Sequence, residues 1–147
     1  MLRNALLLFS RLLLAALFVP SGFHVLTDIA GTSGYFAGLG LPLPTLVAWA
    51  TGLFELIAGL LILVGLKIPI VALLLAAFCI AAGFIGHYGQ GGDDPTLTFM
   101  HQQMLMKDIA LSGGFLALAM AGAGAYSFDG RLLRISLRRR DRHKPFD

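Results

Sequence analysis

Four long apolar segments constrain this chain more than any other feature of its sequence. They cover approximately residues 5–27, 45–66, 68–89 and 102–124, and each has about the 20 residues that an α-helix needs to cross a bilayer core. Only 13% of the 147 residues are Asp, Glu, Lys or Arg, against about 25% in a soluble domain. The sequence therefore predicts an all-α integral membrane protein, a bundle of four transmembrane helices.

The basic residues predict how this bundle is oriented. Arg3 lies at the amino terminus, Lys67 lies in the turn between the second and third segments, and seven of the eleven Lys and Arg residues fall within 131–144. The loops 28–44 and 90–101 contain neither residue type. Because Lys and Arg are enriched in cytoplasmic loops, both termini and the short turn are predicted to be cytoplasmic. An even number of spans agrees with this orientation.

The regions outside the spans also have predictable roles. The loop 28–44 is too apolar to extend freely into water, so it is predicted to lie on the membrane surface or to pack on the end of the bundle. A transmembrane domain is predicted over residues 1–130, followed by a basic cytoplasmic tail over residues 131–147. Each basic residue near anionic lipid contributes about 1 kcal/mol, which favours the lipid bilayer as the partner of this tail, and no nucleic acid.

Four ionisable residues lie at bilayer depth: Arg11, Glu55, Lys107 and Asp108. Such residues are costly in a membrane and commonly mark functional sites. Glu55 shares a helix face with small residues such as Gly59, and Arg11 and Lys107 also lie on faces with small residues. Small residues let helices approach closely. The four ionisable residues are therefore predicted to face the bundle interior as an ion network.

The depth of these charges suggests specific pairs. At about 1.5 Å per residue, counting from the helix ends places Arg11 and Glu55 both near the middle of the membrane, which predicts an ion pair. Lys107 is expected either to reach Glu55 or to pair with its neighbour Asp108. Two roles remain open, the fixing of helix register and the binding of a ligand or proton. Buried ion pairs add little stability over apolar packing, which favours the second.

Three histidines, His24, His87 and His101, are expected near the opposite end from the basic residues. His24 and His87 could hold a haem, and all three could bind zinc or copper together with neighbouring methionines. The favoured interpretation is interfacial histidines with no metal site and no covalent cofactor. Cys79 is the single cysteine, so an internal disulfide is excluded.

Several short motifs occur in a fixed order along the chain, and together they carry a resemblance. They are Ser10-Arg11, Pro20-Ser21-Gly22-Phe23, Gly34-Tyr35-Phe36, Gly52-Leu53-Phe54-Glu55-Leu56-Ile57-Ala58-Gly59, His87, Met106-Lys107-Asp108 and Ser127-Phe128-Asp129. In order and spacing they resemble the DoxX family of small bacterial inner-membrane proteins over nearly all of residues 8–130. Two positions depart from the family pattern. His24-Val25 stands where many members have a Lys, and Asp108 stands where many have an Asn.

The resemblance implies a multi-pass inner-membrane protein with four helices. Some members of the family resemble subunits of membrane oxidoreductases, including thiosulfate:quinone oxidoreductase, or partners of secreted redox enzymes. Eukaryotic relatives act in the assembly or trafficking of other proteins. The resemblance therefore implies the fold more narrowly than the activity.

The leading hypothesis is a redox-associated membrane protein that binds a lipophilic small molecule, such as a quinone or a lipid, between its helices. The predicted ligand-binding residues are Arg11, Glu55, His87 and Lys107, with Glu55 exchanging a proton with the ligand. The chain has no haem, flavin or iron–sulfur motif, so electrons would come from a partner oxidoreductase. The alternative is a non-enzymatic assembly or accessory subunit. Whether the chain is itself an enzyme stays open, a homo-oligomer is compatible with it, and four spans are few for a transporter.

Overall fold

The structure is a computed structural model that describes residues 1–132. Within them the regular elements are all helices, with these bounds: α1 Leu2–Thr27, α2 Ile29–Gly38, α3 Pro44–Val64, α4 Ile68–His87 and α5 Pro95–Ala121. All except α2 are long and apolar enough to cross a membrane. The predicted bundle of four transmembrane helices is confirmed. The predicted tail lies, from residue 133 onward, outside the described residues.

The fifth helix begins at Pro95, well before the apolar segment that starts near residue 102. The cause is a cap. The Asp94 side chain accepts hydrogen bonds from the backbone N–H groups of Thr96 at 2.8 Å and Leu97 at 3.2 Å, and proline is well suited to the first helical turn. The first turns of α5 mix Pro95, Thr96 and Thr98 with apolar residues, and a prediction from long apolar runs therefore misses them.

The loop between the first two spans packs on the end of the bundle through α2. The helix starts at a cap in which the Asp28 carboxylate accepts from Gly31 N at 2.9 Å. It contacts α3, and its Tyr35 hydroxyl donates to the carbonyl of Gly86 in α4 at 3.2 Å. The apolar loop is therefore a short helix that bridges two of the transmembrane helices.

The transmembrane helices pack mainly as two pairs, α1 with α3 and α4 with α5. Glycines make the first pair close, because Gly22 faces the backbone of Gly52 and Leu56, and Gly59 faces Phe18. In the second pair, Gly83 of α4 leaves room for an α5 side chain. The two pairs meet through a core that includes Phe18, Phe115, Leu75, Ile62 and Ile68.

The buried face of α5 is not the face that the sequence predicts. The small residues that share a face with Lys107, including Gly114 and Ala117, are exposed, and the buried residues are Ser112, Phe115 and Leu118. The expectation that small residues mark the inner face of this helix is therefore wrong. The side chain that fills the space between the two pairs here is Phe115, whose ring centroid is 5.4 Å from that of Phe18 in α1.

The end of the bundle that carries Arg3, Arg11, Lys67 and Arg131 is called here the basic end. A tight turn joins α3 to α4 there, with Gly65 in the left-handed region at φ 75°. The segment 122–132 folds back over this turn. Its contacts with the turn are a hydrogen bond from Asp129 N to Gly65 O at 3.1 Å, and one from Ile68 N to the Asp129 carboxylate at 3.3 Å.

Candidate functional site

The opposite end of the bundle, called here the histidine end after His24, His87 and His101, contains a cavity of about 680 Å³. It extends inward between the two helix pairs and beneath α2. Its volume is within the range of small-molecule sites, about 300–1,000 Å³. Most of the wall is apolar. The polar residues on it are Ser21, His24, Asp28, Thr32, Tyr35, Thr51, Glu55, His87, Lys107 and Asp108.

Glu55 is the most buried acidic residue on the wall of this cavity. It lies in the middle of α3, only 9% exposed, on the face where Gly52 and Gly59 bring α1 close. Ser21 of α1 lies beside it on the same cavity wall. Its Oε2 atom has no hydrogen-bond partner among residues 1–132. Because buried polar atoms are normally partnered, this oxygen marks a place where a donor from a ligand would be stabilised.

The second acidic residue of the cavity, Asp108, has basic side chains on two sides. Its Oδ1 is 3.4 Å from Lys107 Nζ, and its Oδ2 is 3.8 Å from Nε2 of His87. Gly83 makes this arrangement possible, because a Cβ there would be only 3.0 Å from the Asp108 Cβ. The contact between Lys107 and Asp108 that the sequence allowed is therefore present. Lys107 itself is half exposed at 53%.

The two histidines of the second helix pair are in direct contact. Nδ1 of His87 and Nδ1 of His101 are 3.0 Å apart. His24 lines the cavity from α1. Within residues 1–132 no group of three or more His, Cys, Asp or Glu side chains is arranged to hold a metal ion.

Arg11 is not part of this cavity. It is fully buried at the basic end, and its Nη2 donates to the carbonyl of Tyr126 at 2.5 Å. The glycine contacts between α1 and α3 place Ser21 and Gly22 at the level of Glu55. Arg11 is ten residues below Ser21, or about 15 Å at 1.5 Å per residue.

The predicted ion pair between Arg11 and Glu55 is therefore wrong. The depth count assumed that both helices enter the membrane at equivalent positions, but α1 extends well past the end of α3 at the basic end. Of the four predicted ligand-binding residues, the structure brings together Glu55, His87 and Lys107. It places Arg11 with the backbone of the segment 122–132 instead.

The family of the chain follows from a comparison of its sequence with known proteins. The family model for DoxX matches residues 6–88, which include α1 to α4. This chain belongs to the DoxX family. It is 37% identical to the inner membrane protein YqjF of Escherichia coli K12, in a match that covers 86% of this chain and 90% of YqjF. It is 33% identical to the inner membrane protein YphA of the same organism, over 88% of this chain and 91% of YphA. No solved structure matches it.

Membership of the DoxX family and four membrane-length helices together identify an inner-membrane protein. The matched region supplies Glu55, His24 and His87 to the cavity, whereas Lys107 and Asp108 come from α5, beyond residue 88. The cavity of this DoxX protein is therefore assembled from both helix pairs.

Sequence reasoning missed two contributions to the site. Tyr35 has no role in the sequence analysis beyond the Gly34-Tyr35-Phe36 motif, although it lies on a helix that covers the cavity. The contact between His87 and His101 was not predicted, although both histidines were expected at one end of the bundle. The available signal was that His87 lies near the end of the third apolar segment and His101 directly before the fourth.

Proposed function

We propose that this DoxX protein binds a lipophilic small molecule with a polar head group, a quinone being the class that fits best, and works with a partner oxidoreductase. The observation that carries the proposal is Glu55 on the wall of a mainly apolar cavity, with a buried Oε2 that has no hydrogen-bond partner among residues 1–132. A quinone ring offers apolar faces to such walls and two oxygens to the polar groups. Phe18 and Phe78, whose ring centroids are 6.4 Å apart, supply part of the apolar wall.

The polar groups of the cavity suit both forms of such a ligand. Lys107 Nζ and the hydroxyl of Ser21 donate hydrogen bonds, which carbonyl oxygens accept. The carboxylates of Glu55 and Asp108 accept hydrogen bonds, which hydroxyl groups donate. Glu55 is therefore proposed to hold the ligand oxygen and to exchange a proton with it. Electrons would come from a partner protein, because this chain has no haem, flavin or iron–sulfur motif.

Glu55→Gln tests this role directly. The full chain is purified in lipid nanodiscs, and its co-purifying hydrophobic molecules are identified. We expect a quinone among them and reversible binding of decylubiquinone. Hydrogen bonds to charged groups contribute about 1.5–3 kcal/mol, so Glu55→Gln is expected to raise the Kd by at least about tenfold.

The control is Leu60→Ala on the same helix, because Leu60 is 43% exposed on the lipid-facing side. It is expected to leave the Kd unchanged. If the wild-type protein binds no quinone, or if Glu55→Gln binds as tightly as wild type, the proposed ligand role is wrong. The non-enzymatic accessory subunit is then the better description, and the observation in its favour is that Arg11 bonds to the backbone of Tyr126 and does not line the cavity.

The orientation proposed for the bundle places both termini and the basic end in the cytoplasm. It is supported by Arg3, Lys67 and Arg131 at this end and by the lack of Lys and Arg in 28–44 and 89–94. Lys and Arg are enriched in cytoplasmic loops. The histidine end then faces away from the cytoplasm. A reporter that is active only outside the cytoplasm is expected to work when inserted in 89–94, and activity of the same reporter at residue 147 would reverse the orientation.

A further inference from the structure

The contact between His87 and His101 imposes a definite arrangement of protons. Their Nδ1 atoms are 3.0 Å apart, which is hydrogen-bond distance. One Nδ1 must carry the hydrogen and the other must offer its lone pair, because two lone pairs or two hydrogens facing each other repel. His87 is the last residue of α4 and His101 lies near the start of α5, so this bond joins two helices at the histidine end.

The other ring nitrogen of His87 faces the cavity. Its Nε2 is 3.8 Å from Oδ2 of Asp108, whose side chain is only 14% exposed. If His101 donates through Nδ1–H, neutral His87 accepts at Nδ1 and keeps its hydrogen on Nε2, directed at the carboxylate. This one tautomer satisfies both contacts. His87 thus connects a partly exposed imidazole on one side with a cavity carboxylate on the other.

We propose that His101, His87 and Asp108 form a proton-transfer path between solvent at the histidine end and the ligand bound in the cavity. The inference rests on the proposed function, because it needs a ligand oxygen that accepts a proton from Asp108. It adds two things to that function. It assigns a role to His101, and it assigns Asp108 the transfer of the proton to the ligand.

The transfer balances in protons and involves no electrons. His101 takes a proton from water at Nε2 and passes its Nδ1 proton to Nδ1 of His87. His87 releases its Nε2 proton to the Asp108 carboxylate, and Asp108 gives it to the ligand oxygen. Both rings then hold the opposite tautomer, and ring rotation resets them. The 3.8 Å step is long, but contacts of this kind commonly shorten when the reacting complex forms.

The groups around the path suit this direction. Lys107 holds Oδ1 of Asp108 at 3.4 Å and so leaves Oδ2 for His87. From α2, Tyr35 bonds to the carbonyl of Gly86 and fixes the backbone next to His87. The remaining titratable groups on this cavity are Glu55 of α3, Cys79 of α4, and His24 and Asp28 at the end of α1. Imidazole is the usual proton carrier near neutral pH.

His101→Gln separates a proton path from a structural contact. A Gln amide can donate a hydrogen bond to Nδ1 of His87 but cannot carry a proton through. The full chain in nanodiscs is loaded with decylubiquinone, and reduction of the bound quinone by added dithionite is followed by its absorbance. Proton transfer by a positioned group commonly contributes 10²–10⁴-fold. Water can replace part of this proton transfer. We therefore expect dithionite to reduce the quinone bound to His101→Gln about tenfold more slowly than the quinone bound to wild type, with the Kd for the quinone unchanged.

Two further variants complete the test. His101→Ala is expected to be slow and to regain its rate when free imidazole is added, an effect that a structural role would not produce. Gln103→Ala, which changes an exposed α5 residue outside the cavity wall, is expected to keep the wild-type rate. If wild type binds decylubiquinone and the quinone bound to His101→Gln is reduced at the wild-type rate, the proton path is wrong while the proposed function stands. If wild type does not bind it, both are wrong.

Discussion

Gly22→Ala is expected to lower the stability of the folded protein in detergent by about 2 kcal/mol or more. A Cβ at Gly22 would collide with the backbone nitrogen of Leu56 and lie 2.8 Å from the carbonyl oxygen of Gly52. Both are backbone atoms of α3, so no side-chain rotation relieves the contact and the helices must separate. Overpacking of this kind typically costs about 1–3 kcal/mol, and helix association in membranes depends on such close packing.

The matched control for this change is Gly113→Ala. Gly113 is also a helix-interior glycine, but no atom lies within 4 Å of the position its Cβ would take. Because Ala favours a helix over Gly by about 1 kcal/mol in soluble hosts, this variant is expected to be as stable as wild type or more stable. Thermal unfolding of the three proteins in the same detergent measures the difference. Equal unfolding temperatures for the two variants would contradict the packing of α1 on α3.

Gly65→Ala is expected to destabilise the protein by about 2 kcal/mol more than the same change at Gly40. Both glycines have a left-handed backbone, with φ 75° and 76°, so the conformational cost of about 1–2 kcal/mol is shared. They differ in their surroundings. A Cβ at Gly65 would collide with Nη1 of Arg11 and lie 2.5 Å from the Ser127 Cβ, whereas a Cβ at Gly40 would meet open space. The extra cost measures overpacking at the basic end.

A double-mutant cycle identifies Arg11 as the cause of this extra cost. When Arg11→Met is combined with Gly65→Ala, the added methyl group no longer meets the guanidinium. The combined loss in the free energy of unfolding is therefore expected to be smaller than the sum of the single losses by at least about 0.5 kcal/mol. Additive losses, or a Gly65→Ala variant as stable as Gly40→Ala, would show that Arg11 does not pack against this turn.

The number of spans and the burial of Glu55 and Arg11 could be predicted because they depend on one helix at a time. Each span has its own apolar run, and the small residues beside Glu55 indicate its inner face without reference to any other helix. Both residues are indeed buried.

The partners of Arg11 and Glu55 could not be predicted, because they depend on how far one helix is shifted along another. The distance of Arg11 from its own helix end can be counted in the sequence, but the level at which α1 meets α3 cannot. That level is set by the contact of Gly22 with Leu56, which separates Arg11 from Glu55. The prediction of the inner face of α5 was wrong for a related reason. Which face of α5 turns inward depends on its contact with the other helix pair, where Phe115 packs against Phe18.

The closure of the basic end has a mechanical consequence for the cavity. Arg11 of α1, Gly65 of the turn and Asp129 of the segment 122–132 tie the helices together at this end, whereas the cavity separates the pairs at the other. A widening of the cavity would therefore rotate the pairs about the basic end, and at the other end it would have to break the hydrogen bond from Tyr35 of α2 to Gly86 of α4. A 20-residue helix is about 30 Å long. A rotation of only about 5° between the pairs would thus move their far ends apart by roughly 2.5 Å.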